Sequence, residues 1–253
     1  MKRTKVGQAL TGLAWVLFHF DSASAGSFAV SPVRVTLTPS QSVAAIRVQN
    51  EGTEATVVQL ETYDWSQHDG ENVLTATNEL LATPPILTIP PGGSRVIRVG
   101  LRRSRDAQRE VTYRLMLREV PPPDPIAQSL RVALQISMPV FVLPAGPTSP
   151  DVHWRAALTD DGHIRVLAKN TGSAHIQLGH LELAPAGGAA VAAQDMSTYI
   201  LPDNGHEWTL PVSSLPAVGT LLRVTSQLES SKLQADVRLE ESAGGARSAA
   251  NGH

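Results

Sequence analysis

The residues able to do chemistry are few and scattered. There is no cysteine, which removes thiol catalysis, disulfides and cysteine-based zinc sites. His68, His153, His163, His175, His180, His206 and His253 form no H-x-x-x-H or H-x-H pair. Zinc needs convergent ligands, so these read as surface histidines and no metal is expected. No G-x-S-x-G nucleophile elbow and no P-loop occur. Asp160-Asp161-Gly162 and Asp203-Asn204-Gly205 are turn signals; the oxygen-ligand spacing of a calcium loop does not continue from either. No carboxylate pair stands out for acid–base work. The expectation is a protein that is not an enzyme, with no cofactor and no small-molecule substrate. Recognition residues remain. Arg34 carries a guanidinium able to hold a carboxylate through two parallel hydrogen bonds, or to make an ordinary strand salt bridge.

The second feature is an apolar row: Leu130, Val132, Leu134, Ile136 and Met138, alternating with Arg131, Ala133, Gln135 and Ser137. Period two predicts a strand with one apolar face. Two readings follow. The row is the last strand of a sandwich facing its own core, or it is an exposed edge that pairs with another protein. Periodicity alone leaves both open.

The elements that must position these residues are strands throughout. Phe28 and Val30 share one parity; after Ser31-Pro32 the parity flips to Val33, Val35 and Leu37. Such a flip at a proline predicts a strand that serves two sheets in turn. Ala44, Ile46 and Val48 follow, then a segment from Thr56 to Trp65, then Ile97, Val99 and Leu101, and Tyr113, Leu115 and Leu117. Leu80-Leu81-Ala82 runs into Pro84-Pro85 and cannot continue as a helix. Many short strands between turn signals predict an all-β chain of immunoglobulin-like β-sandwiches.

Three prolines and a glycine between Pro144 and Pro150 predict a short, stiff linker. The expected organisation is a domain over 26–146, a second over 151–241 and a polar tail over 242–253, with no sequence repeat between the halves. Lys2, Arg3 and Lys5, an apolar run to Phe20 and Ala23-Ser24-Ala25 predict a cleaved secretory signal over 1–25. The 253 residues are 42% hydrophobic and 17% charged with net charge −2, which argues against nucleic-acid binding.

Four segments together resemble the periplasmic pilus-assembly chaperones that serve usher secretion systems. Phe28 to Val35 is similar to the family's first strand with its cleft arginine, here Arg34. Asn50 lies sixteen residues beyond it, Arg118-Glu119-Val120-Pro121-Pro122 is similar to the R-E-[IV]-P-P exit of strand F, and Leu130 to Pro144 resembles strand G. The resemblance implies periplasmic localisation. It also implies a strand lent to incomplete pilus or fimbrial subunits through Leu130, Val132, Leu134 and Ile136, and delivery to an outer-membrane usher. It further implies that Arg34 and a second basic residue anchor the subunit's C-terminal carboxylate. The family's cleft lysine falls here on Pro139, and Ser137-Met138-Pro139-Val140-Phe141 looks more like the archaic, spore-coat-type branch. Arg98, Arg114 and Arg118 are the candidates to replace it, Arg98 being preferred. An exposed apolar row also makes self-association of the free protein an expectation. A fibre subunit or adhesin, and an unrelated immunoglobulin-like binding module, are the alternatives. Two domains, no cysteine and only 4% aromatic residues count against them.

Overall fold

The computed structural model describes residues 28–103, 108–121 and 132–241. Among these the chain is all-β, seventeen strands and no helix. The first sandwich holds β1 (Phe28–Ser31), β2 (Val35–Leu37), β3 (Val43–Asn50), β4 (Thr56–His68), β5 (Glu71–Ala76), β6 (Leu80–Thr83), β7 (Ile86–Ile89), β8 (Ser94–Leu101), β9 (Val111–Val120) and β10 (Gln135–Val142). The second holds β11 (Val152–Leu158), β12 (His163–Asn170), β13 (Ile176–Pro185), β14 (Ala192–Ile200), β15 (Gly205–Pro211), β16 (Leu221–Gln227) and β17 (Lys232–Glu241).

In the first sandwich a four-stranded sheet, β1-β3-β8-β6, faces a sheet ordered β2-β10-β9-β4-β5, with β7 also paired to β4. Side chains alternate across a strand, so one parity of each strand enters the space between the sheets. Ile46 and Val48 of β3 and Ile97 and Val99 of β8 meet Val58, Leu115, Leu117, Met138 and Val140 there. The opposite parity, Arg47, Val96 and Arg98, faces outward. The parity flip at Ser31-Pro32 is a change of sheet: β1 pairs antiparallel with β3, and β2 pairs parallel with β10.

The second sandwich is one sheet of order β14-β13-β16-β17-β11-β12-β15, folded over so that β14 and β15 approach each other. Its core gathers Ile164, Val166, Leu178, Leu181, Leu183, Leu210, Leu222 and Leu239.

The two sandwiches share a device that the expectation of no repeat between the halves overlooks. Asn50 closes β3 and is fully buried. Its side-chain amide donates to the carbonyls of Glu54 (2.6 Å) and Ile89 (3.0 Å), and its side-chain oxygen accepts from the Gly52 N–H at 2.9 Å. Asn170 closes β12 in the same way, donating to Ala174 (2.8 Å) and Ile200 (3.1 Å) and accepting from Gly172 at 3.0 Å. Each asparagine satisfies backbone groups that the tight turn would leave bare, in a place water does not reach.

Candidate functional site: an open strand edge beside an arginine cleft

The apolar row lies on β10, and the structure revises its limits. The strand begins at Gln135 instead of Leu130, and Leu130 lies outside the described residues. β10 pairs antiparallel with β9 along its whole length, from Gln135 opposite Arg118 to Val142 opposite Val111. On its other side it pairs with β2 only from Val140 to Val142. Among the described residues, the edge from Gln135 to Pro139 therefore has no partner. In an antiparallel pair successive residues bond alternately toward the partner strand and away from it. Leu134 bonds toward β9, accepting from the Glu119 N–H at 2.9 Å, whereas the Leu143 N–H donates to the carbonyl of Leu37, the last residue of β2, at 2.9 Å. Gln135 and Ser137 thus turn their backbone groups to the open edge. Pro139 sits where β2 stops and has no N–H to offer there.

The side chains of the row leave the core by degrees. Met138 and Val140 are buried, Ile136 and Leu134 are half-buried against the first core, and Val132 is 62% exposed. The strand climbs out of its own sandwich toward the segment that precedes it. The row is thus core at its Met138 end and exposed at its Val132 end.

Arg34 immediately precedes β2, at the point where the open edge of β10 begins. It lines a cleft of about 490 Å³ between the two sandwiches, together with Pro32, Pro139, Tyr199, Gln227 and Glu229. Its guanidinium donates to Glu229 Oε2 at 2.6 Å, and that bond raises its pKa from the ordinary arginine value, against a smaller opposing effect of burial. Tyr199 lies within electrostatic reach of Arg34 and also of Arg114. Arg114 stands opposite Pro139 in the β9–β10 ladder, with its guanidinium 3.7 Å from the ring centre of Trp65. Burial there lowers its pKa from the ordinary value. An arginine stacked on an aromatic face keeps its charge while losing water.

The structure does not bring Arg98 to this cleft. β8 lies between β3 and β6 in the sheet that lacks β2 and β10, and Arg98 has the parity opposite to the buried Ile97 and Val99. It is exposed on the outer face. Arg118 is drawn the other way, to Glu61 at 3.6 Å. Tyr199 and Glu229 were not legible beforehand: Glu229 lies on a turn, 195 residues from its partner.

The cleft walls are held by a bonded junction. Trp65, Phe141 and Leu201 are buried together with Tyr199 against them. Phe141 stacks on His175, with ring centres 3.6 Å apart and planes within 6°. The Glu110 side chain, 1% exposed, accepts from the His175 N–H at 3.2 Å and meets its ring Nδ1 at 2.8 Å. Gln67 donates to the Tyr199 carbonyl at 2.7 Å and accepts from the Leu201 N–H at 2.9 Å. Arg109 pairs with Asp203. Among the described residues no group of histidines and carboxylates could hold a metal ion.

Residues 27–148 match the family described as pili and flagellar-assembly chaperone, PapD N-terminal domain. The curated relative found is chaperone protein PapD of Escherichia coli, 29% identical over 98 residues, which cover 37% of this chain. The match spans 41% of that relative's length. Among solved structures, the chain is similar to one in the CsuC–CsuE chaperone–tip adhesion subunit pre-assembly complex from archaic chaperone-usher Csu pili of Acinetobacter baumannii. There the TM-score is 0.64 at 17% identity, covering 85% of this chain and 100% of that one. It is also similar to the E. coli chaperone DraB, with TM-score 0.59 at 20% identity, covering 85% and 98%. At these identities the structural likeness speaks for the fold. The likeness to the pili and flagellar-assembly chaperone family thus rests on residues 27–148, just under half of the chain.

Proposed function

We propose that this protein is a periplasmic chaperone of the archaic chaperone–usher type, built as two domains over 26–146 and 151–241. It completes an unfinished immunoglobulin-like pilus or fimbrial subunit with its own β10 and passes that subunit to an outer-membrane usher. The observation that carries this reading is the edge of β10 from Gln135 to Pro139, unpartnered among the described residues, with Val132, Leu134 and Ile136 rising from the core beside it. An unpaired edge is a template for a further strand, and its side chains decide which strand fits.

In this reading Arg34 takes the subunit's terminal carboxylate. Arg98 is too far round the sandwich to share it; Arg114, which reaches toward Tyr199 from behind Pro139, supplies the second positive charge. The lane to be filled lies ahead of β2 along β10. A strand ending at Arg34 runs from the Val132 end toward Pro139, parallel to β10, as β2 does. Its companion test is co-expression with a secreted subunit, comparing wild type with Arg34→Ala. A charge-assisted bidentate bond is worth roughly 1.5–3 kcal/mol. Recovery of the subunit in the Arg34→Ala complex is therefore expected to fall at least tenfold, with the chaperone folded. Undiminished recovery would remove Arg34 from the anchor.

A further inference from the structure

We propose that Glu229 is a resident carboxylate, seated on Arg34 in place of an incoming chain end and displaced by it. This rests on the anchor role given to Arg34 above. Glu229 belongs to the second sandwich, on the turn between β16 and β17, and crosses the cleft to bond the Arg34 guanidinium at 2.6 Å. It presents the same chemical group that the anchor is built to hold. Its turn is tied independently of that contact: the Leu228 N–H donates to Ser231 at 2.8 Å, and the Gln227 side-chain amide donates to the carbonyls of Leu228 (2.9 Å) and Ser231 (3.1 Å). Losing the pair therefore leaves the turn intact.

The strength of the contact suits a placeholder. The Glu229 side chain is 71% exposed and that of Arg34 is 34% exposed. An ion pair so open to water is weak, because solvent screens it and two long side chains must be ordered to make it. A terminal carboxylate held also by an added strand arrives with a large local concentration and displaces it. Meanwhile Arg34 is neither left bare nor free to collect stray anions. The device also discriminates: only a chain end that brings strand pairing along with its charge gains enough to evict Glu229.

The test measures binding of N-acetyl-alanyl-alanine and of its C-terminal amide to the purified protein by chemical-shift titration. Wild type, Glu229→Gln, Glu229→Ala and Arg34→Ala are compared, with thermal unfolding confirming that each is folded. Both Glu229 variants are expected to bind the free acid about three- to fivefold more tightly than wild type, the amide being unaffected and Arg34→Ala showing no preference for the acid. If wild type prefers the acid and the Glu229 variants bind it no better, the resident-carboxylate role is wrong and the anchor stands. A gain for acid and amide alike overturns the proposal too, since Glu229 would then act by bulk. No preference for the acid in any variant overturns both the proposal and the anchor.

Discussion

Replacing Val132 by glutamate separates the two ends of the apolar row. In the free protein Val132 is 62% exposed, so a carboxylate there meets water. Its cost to folding is expected to stay within about 0.5 kcal/mol, as for most surface changes. In a complex where the row fills another sandwich, the same position becomes interior. Fully burying a valine is worth about 1.5–3 kcal/mol, so its exposed share contributes roughly 1–2 kcal/mol that glutamate forfeits. The carboxylate must also lose its charge to enter. Protonating a glutamate of ordinary pKa at pH 7 costs about 3.7 kcal/mol, at 1.36 kcal/mol per pH unit. The complex is therefore weakened by about 5 kcal/mol, more than a thousandfold. Gln135→Glu is the control, because Gln135 lies on the opposite face of β10 and is exposed. The assay pairs urea unfolding of each purified chaperone with recovery of co-expressed subunit. Unchanged unfolding midpoints, capture lost in Val132→Glu and capture kept in Gln135→Glu is the expected pattern. A folded Val132→Glu protein that captures subunit as well as wild type would refute strand donation through this row. A loss of more than about 2 kcal/mol in the free protein would instead place Val132 in its own core.

Other outcomes follow from the junction and the turns. Asn170→Ala leaves the carbonyls of Ala174 and Ile200 and the N–H of Gly172 without their partner, and Asn50→Ala does the same in the first sandwich. Each should lower stability by about 2 kcal/mol, read as a shifted urea midpoint at constant slope, and the two losses should add because the sites are far apart. His175→Ala removes the ring from the buried Glu110 carboxylate, leaving it the backbone N–H of residue 175, and bares one face of Phe141. It should cost about 3 kcal/mol and split unfolding into two transitions, seen as divergent tryptophan-fluorescence and circular-dichroism curves. A single unshifted transition would show that this pair does not couple the sandwiches.

Much of the fold was legible because a sandwich writes its two faces into alternate residues. Ile46, Val48, Ile97 and Val99 point inward as their parity demands, and the flip at Ser31-Pro32 marks the passage from one sheet to the other. Parity tells which face a residue takes, but not how far a ladder extends. The alternation from Leu130 to Met138 therefore gave no sign that β10 would run from Gln135, nor that β2 would cover it as far as Val140 and stop. The same limit explains the arginines. Arg98 and Arg114 each sit between buried neighbours of opposite parity, so each must face away from the core. Only the tertiary arrangement sets Arg114, on the outer face of β9, over Trp65 of its own sandwich and near Tyr199 of the second, while the outer face of β8 meets solvent. The paired asparagines were visible as Asn50-Glu51-Gly52 and Asn170-Thr171-Gly172, but an N-x-G match is too short to mark a repeat until both are seen holding the same turn.

A fixed cleft at one end of an open strand has a consequence for register. If the terminal carboxylate is pinned at Arg34, every residue upstream of it in the added strand is assigned a place along β10. From Pro139 back to Val132 that lane is about 23 Å long at ~3.3 Å per residue. Extending the subunit by one alanine at its C-terminus shifts the strand by one position. Since side chains alternate faces, the shift turns the subunit's apolar set away from the groove. Extending it by two restores the parity at a displacement of about 6.6 Å. Capture should therefore fall most with one added residue and recover in part with two, a non-monotonic series that simple crowding of the cleft does not produce. Recovery of the three subunit forms on wild-type chaperone, with Arg34→Ala as reference, reads this directly. The Arg34→Ala protein, left with Arg114 alone, should discriminate among the three forms much less. A steady decline with length on the wild-type protein, or equal capture of all three, would mean that Arg34 does not set the register and that the cleft and the open edge of β10 work independently.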